Sequence, residues 1–326
     1  MKKQIAAVGI LLLLAILFFI DTGRLLEALS KTNLLLFCSA VLLGFPAVAF
    51  RSMKWRLMLK KQGHSFPFFK IFKYYFIGIG LGSFTPGRLG DFAKALFINK
   101  KIRSLSVSFS SVLVDRVIDL SVLVGLGVVS IGVFLWVYQT AVISIPVIAA
   151  MVLGLAFCFY LLFNKHLLKK VLRPFYRILV PERFKEKLSS GFDSFIGSVQ
   201  ALLKNRSLLL AAVSLSLVSW LFEVLAEYLL ALSLGIALPI SFVFLTVSLI
   251  TLVSLLPLSI SGIGTRDALA IMLFSLQGIP AESAVAFSFL VLFSSTLLSM
   301  FGIAFMSFEK IGIKELFEGG SESGQD

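Results

Sequence analysis

Charge is scarce in this sequence. Only 14% of its 326 residues are charged and 58% are apolar, whereas about a quarter of a soluble domain is charged. That polar surface is too small to cover a soluble globule of this size, and a disordered chain is excluded for the same reason. Cysteine is nearly absent. Cys38 and Cys158 each lie inside an apolar run, so two thiols in lipid are expected rather than a disulfide scaffold. His64 and His166 have no ligand-type neighbours at metal spacing, so neither a metal nor a cofactor is expected. There is no Walker loop, no HExxH and no Ser-centred nucleophile elbow, so neither ATP hydrolysis nor metalloproteolysis has support. The chain does not read as an enzyme.

Long hydrophobic runs and positive charge are what it does have. Mean hydropathy is +1.00 and the net charge is +13. A spanning helix needs about 20 mostly apolar residues. Candidates lie at residues 5–20, 34–50, 106–138, 141–163, 207–234 and 283–308. The first of these follows two lysines like a signal peptide but lacks a small-x-small cleavage site, so a retained span is expected. Two further apolar stretches are broken. One runs 66–84, meets Thr85-Pro86-Gly87-Arg88-Leu89-Gly90-Asp91 and resumes at 92–98. The other runs 238–256, meets Pro257 and Ser259-Ile260-Ser261-Gly262-Ile263-Gly264, and resumes at 268–276.

The positive charge is confined to a few segments. Residues 51–73 hold seven Lys/Arg and no acid, 94–103 hold four, and 164–206 net +7. The connections near 140 and 235 carry none. By the positive-inside rule the basic segments and both termini face the cytoplasm. The excess charge is then a topology signal, and nucleic acid drops out as a partner. Membrane lipids, anionic ones above all, take its place. The first broken stretch is basic at both ends, so it reads as a re-entrant hairpin. The second should dip in from the opposite side. The expected fold is therefore all-α and polytopic, with about six transmembrane helices and two oppositely oriented re-entrant hairpins. Two short spans in place of each hairpin fit the hydropathy equally well. Residues 1–308 form one membrane domain. Within it, 164–206 is a basic amphipathic segment suited to the inner leaflet. Residues 309–326 form an acidic tail expected to be disordered.

The two tips echo each other. Pro86-Gly87-Arg88-Leu89-Gly90-Asp91 and Gly262-Ile263-Gly264-Thr265-Arg266-Asp267 each combine helix breakers, one Arg, one Asp and a small-residue helix start. Similar broken elements in opposite orientation mark inverted-repeat transporters. Charges inside spans cost about 2.5–3.5 kcal/mol each on insertion scales. Nine fall in or near the apolar segments: Arg88, Asp91, Asp115, Arg116, Asp119, Glu223, Glu227, Arg266 and Asp267. A polar cavity inside the bundle is the default reading. An Arg beside a helix start can cradle a phosphate or carboxylate. That makes Arg88, Asp91, Arg116, Asp119, Arg266 and Asp267 candidate head-group ligands. Alternatively, Arg88 simply pairs with Asp91. Glu223, Glu227 and Asp115 are candidates for ion coupling or for pairing with Arg88, Arg116 or Arg266. Arg51, Lys54, Trp55 and Arg56 read as a basic loop below the second span. That loop either sets topology or collects head groups at the inner leaflet. Gly78 and Gly82 give a small-xxx-small packing face.

Four motifs then occur in order: Arg51-Ser52-Met53-Lys54-Trp55-Arg56, the first tip, Asp115-Arg116-Val117-Ile118-Asp119, and the second tip. This set resembles the lysylphosphatidylglycerol synthase transmembrane-region family, also called flippase-like integral membrane proteins, over roughly residues 5–308. The resemblance implies a bacterial or archaeal cell-membrane protein that moves lipids or lipid-linked groups between leaflets. The soluble aminoacyltransferase half of the named relative has no counterpart in these residues, so synthase activity is not expected. The family pattern usually has Glu where this chain has Asp91, Asp115 and Asp267, which keeps charge but shortens reach. The leading expectation is a flippase or scramblase for an anionic or phosphate-bearing lipid. The alternatives are a small-solute or ion secondary transporter, and a non-transporting membrane partner of a separately encoded lipid-modifying enzyme.

Overall fold

The computed structural model describes residues 20–83, 85, 90–138, 182–254 and 262–308, with isolated positions between 16 and 18 and between 153 and 170. The expected spans 5–20 and 141–163, most of 164–181 and the acidic tail lie outside the described residues. So do Pro86, Gly87, Arg88 and residues 255–261.

The described residues form helices and no strand. In chain order these are α1 (Thr22–Ser30), α2 (Leu34–Lys61), α3 (Phe68–Ser83), α4 (Ala93–Ile102), α5 (Leu105–Tyr138), α6 (Glu182–Lys204), α7 (Arg206–Ser233), α8 (Ile240–Ser254), α9 (Thr265–Ser275) and α10 (Ala281–Phe308). Four of them, α2, α5, α7 and α10, are long and apolar enough to cross a membrane. At 28 residues, a helix is about 42 Å long, more than the roughly 30 Å hydrocarbon core. Leu42, Leu221, Phe289, Phe293 and Trp136 point outward from them, as lipid-facing side chains do. Cys38 is a free, exposed thiol on the same kind of surface.

One expected boundary is corrected. The basic segment from Arg51 is not a loop, because α2 continues through it to Lys61. Its residues are good helix formers, and no breaker intervenes before Gly63. The loss of hydropathy after Phe50 marks where charge begins, not where the helix ends. Gly63 (φ +88°) closes α2: His64 N–H donates to the Leu59 carbonyl at 2.9 Å, and Gly63 N–H to the Lys60 carbonyl at 3.1 Å.

That cap recurs 172 residues later. Gly235 (φ +74°) closes α7, with Ile236 N–H donating to the Ala231 carbonyl at 3.0 Å and Gly235 N–H to the Leu232 carbonyl at 2.9 Å. The same interval links other punctuation. Asn33 caps the start of α2 and Asn205 the start of α7. Pro67 precedes α3 and Pro239 precedes α8. α4 begins at residue 93 and α9 at 265. Open space surrounds both positive-φ glycines, so Gly63→Ala and Gly235→Ala should each cost only the left-handed strain, about 1–2 kcal/mol. Thermal unfolding in detergent checks this.

The packing obeys the same relation. α2 lies on α7, α3 on α10 and α8 on α5, while α4 packs on α5 and α9 on α10. α2 and α7 are antiparallel: Asn33 N–H donates to Ser233 O (2.8 Å), Ser219 Oγ to Ala47 O (3.0 Å), and Lys54 Nζ to Ser216 Oγ (3.2 Å). Residues 172 apart meet in the middle of this pair. Ser219 meets Ala47, the Phe50 and Phe222 rings stack with centroids 5.5 Å apart, and Arg51 pairs with Glu223 at 2.7 Å. Only a two-fold axis crossing the helix pair brings equivalent residues together in this way. The two halves are thus an inverted repeat within the described residues.

Each broken stretch is a helical hairpin. α3 runs against α10, with Ser83 beside Ser299 and Phe76 beside Phe305. α4 leads into the start of α5, at the bundle end where α3 began. α8 runs against α5 from the opposite end, with Phe242 beside Phe134 and Leu252 beside Gly127. α1 carries an ion pair outside the spans. Lys31 donates to Glu27 at 2.5 Å and holds the Glu27 carboxyl below its usual range.

Candidate functional site

Two polar clusters occupy the bundle interior, one beside each hairpin. The first lies between α2, α3, α4 and α5. Asp115 is its centre and is completely buried. Lys94 Nζ meets Asp115 Oδ2 at 2.6 Å, and Lys54 Nζ meets Oδ1 at 3.0 Å. Tyr75 O–H donates to Oδ2 at 3.3 Å. Asp119, one turn on, pairs with Lys54 and accepts from Ser216 Oγ at 2.8 Å. The adjacent Arg116 points to the other side and pairs with Asp91. Three cations therefore face three carboxylates, and the network is neutral. Lys94 also lies over the Tyr75 ring, 3.6 Å from its centroid, a favourable place for a desolvated ammonium.

The hairpin geometry makes this possible. Gly78 and Gly82 face the second arm, as the small-xxx-small reading predicts. A Cβ on Gly82 would strike the Asp91 carboxylate, and one on Gly90 would strike the Leu81 carbonyl. Thr85 Oγ1 accepts from Gly90 N–H at 2.7 Å and closes the tip.

The second cluster lines a cavity of about 230 Å³ between α2, α3, α7, α8, α9 and α10. Arg51, Glu223, Glu227 and Arg266 line it, with the hydroxyls of Ser83, Thr251, Ser254, Ser294, Ser295 and Ser299. Glu223 is engaged by Arg51. Arg266 Nε donates to Ser288 Oγ at 2.7 Å, and its NH2 group is 3.6 Å from Asp267. Asp267 closes a capping box by accepting from Gly264 N–H at 2.8 Å, and it also accepts from Ser288. Gly262 and Gly264 have positive φ, +75° and +82°, which a non-glycine residue would adopt under strain. Among the described residues Glu227 makes no ion pair, and its buried Oε2 has no hydrogen-bond partner.

Several expectations change. Lys54 and Trp55 were placed in a head-group-collecting loop, but both are 0% exposed. From there they cannot touch a membrane surface. Trp55 Nε1–H instead donates to Ser111 at 3.0 Å. Arg51 turns into the cavity rather than out to the leaflet, and Arg56 donates to the Phe66 carbonyl at 2.8 Å. Glu223 pairs with Arg51, and among the described residues not with Arg116 or Arg266. Asp91 is paired by Arg116. Asp91, Asp115, Arg116 and Asp119 do come together, but around lysines. Among the described head-group ligands expected from the tips and α5, Arg266 alone lines the cavity. Arg88, with Pro86 and Gly87, lies outside the described residues.

The register of the tip echo also shifts. At the 172-residue interval Arg266 corresponds to Lys94, the second residue of each hairpin's outgoing helix, and not to Arg88. Lys94 was grouped with the cytoplasmic charges. Its place two residues beyond the Asp91-Phe92 pair, opening a short helix, was the available signal. Tyr75 carried none, since a tyrosine in an apolar run reads as packing.

The chain is similar to several archaeal membrane proteins. A UPF0104 membrane protein of Methanothermobacter thermautotrophicus is 24% identical, covering 91% of this chain and 92% of its own length. One from Methanocaldococcus jannaschii is 27% identical over 87% of each chain. One from Pyrococcus horikoshii is 26% identical over 89% of this chain and 92% of its own. No solved structure matches. A multi-pass membrane protein is what these relatives and the four long apolar helices have in common. The model of the lysylphosphatidylglycerol synthase TM region matches residues 4–302, and the chain belongs to that family.

Proposed function

We propose that this protein is a lipid translocase that carries an anionic or phosphate-bearing lipid between leaflets without covalent chemistry. One observation supports it most. A polar cavity lies at mid-bundle where the two hairpins approach, and two guanidiniums line it. A guanidinium fork matches the geometry of a phosphate. The head group would rest against Arg266 and Arg51 while the acyl chains stay in lipid. In this reading α3–α4 and α8–α9 are re-entrant hairpins from opposite faces. The basic ends of α2, α4 and α6 then face the cytoplasm.

The test is purified protein in vesicles containing head-group-labelled phosphatidylglycerol, with dithionite added outside. The protein should speed loss of the inner-leaflet label. Arg266→Ala should slow that loss at least about tenfold, as expected for losing a charge-assisted contact, while Arg266→Lys keeps part of the rate. If vesicles with protein protect as much label as empty ones, across several anionic lipids, the reading is wrong.

A further inference from the structure

The inverted repeat lets one half serve as a reference for the other. In the first half, the space beside the outgoing hairpin helix is filled. Lys54, Trp55 and Asp115 occupy it, each 0% exposed. At the 172-residue interval the second half has Ala226 in place of Lys54, Glu227 in place of Trp55 and the buried Phe287 in place of Asp115. A methyl replaces a long ammonium chain, and a carboxylate replaces an indole. The space left is the cavity, and Glu227 stands in its wall. Among the described residues no lysine or arginine forms an ion pair with it.

The charges facing Glu227 can be named element by element. On its own helix Glu223 lies one turn away and is held by Arg51 of α2 at 2.7 Å. On α9, Arg266 is engaged by Ser288 and Asp267. From α3, α8 and α10, the cavity wall carries only hydroxyls as polar groups. Glu227 is therefore the one acid lining the described cavity that has no ion-pair partner. An uncompensated carboxylate away from water is costly, and such groups are neutralised rather than left charged. A metal ion would sit beside two guanidiniums and need several oxygen ligands. A proton needs only the carboxylate itself.

We propose that Glu227 is a proton-binding site in the cavity wall, and that passage of the lipid depends on whether Glu227 carries its proton. The proton comes from cavity water, adds to the carboxylate to give the acid, and returns to water when the site empties. This rests on the translocase reading for its second half only. Proton binding stands without it.

The experiment uses the full chain in vesicles of phosphatidylethanolamine and phosphatidylglycerol. Infrared difference spectra between acidic and alkaline media should contain the carbonyl stretch of a protonated carboxyl group. Glu227→Gln should remove that band and Glu223→Gln should leave it. Glu227→Asp, which keeps a carboxyl group, should shift it, and serves if the glutamine variant fails to assemble. A spectrum unchanged in both residue-227 variants overturns the site. In the same vesicles, labelled phosphatidylglycerol should cross at a pH-dependent rate in the parent and at a pH-independent rate in Glu227→Gln. An unchanged pH profile overturns the link to transport. If no lipid crosses in any sample, the translocase reading fails while the infrared band still decides proton binding.

Discussion

Asp115→Ala is expected to cost about 3–5 kcal/mol, the usual effect of removing one member of a buried charge set. Its carboxylate bridges Lys54 and Lys94, both 0% exposed. Without it Lys94 loses the one carboxylate within pairing distance among the described residues, and the network shifts from neutral to net positive. Lys54 keeps Asp119, so the damage falls mainly on Lys94 and the α4–α5 contact. Asp119→Ala should cost less, because Asp119 is 17% exposed and water can reach Lys54 in its place. Adding Lys94→Met to Asp115→Ala should restore part of the loss, by a coupling of about 0.5–3 kcal/mol. Thermal or denaturant unfolding of the detergent-purified protein reads all three. Asp115→Ala unfolding together with the parent would show that the network contributes nothing.

Gly302→Leu should dislodge the first hairpin. α3 and α10 touch through their backbones: a Cβ on Gly302 would overlap the Phe76 carbonyl, and one on Gly80 would lie 2.8 Å from the Ser299 carbonyl. Overpacking a core costs about 1–3 kcal/mol where side chains can yield. Here the obstacle is backbone, so about 3 kcal/mol or more is expected. The Ser83–Ser299 contact at 2.6 Å would be lost with it. Gly125→Leu and Gly132→Leu on α5 are the controls. No atom lies within 4 Å of a Cβ at either site, so both should be neutral or slightly stabilising, as leucine favours helix over glycine. Equal unfolding midpoints for Gly302→Leu and these controls would refute the close approach.

Much of the architecture was legible because it depends on local properties. Hydropathy found α5, α7 and α10 to within two residues at each end, since an apolar run of that length has few alternatives to a helix in lipid. It cut α2 short at Phe50, because a helix can leave the apolar layer without ending. The two hairpins do correspond, but not in the register that the tip letters suggest. Shared Gly, Arg and Asp letters drew Arg88 onto Arg266, whereas the backbone punctuation of Asn33, Gly63 and Pro67 pairs Lys94 with Arg266.

The sequence alone determined that this chain is apolar and helical, that its positive charge is concentrated in a few segments, and that a small charged set lies within the apolar segments. Each follows from composition or from neighbours a few residues apart. Only the tertiary structure decided which charge meets which. Lys54 and Asp119 are 65 residues apart, and Arg51 and Glu223 are 172 apart, so their pairing depends on which helices the repeat brings together. The same packing turns one half into a filled, neutral core. It leaves the other half with a cavity and one acid, Glu227, that has no ion-pair partner among the described residues.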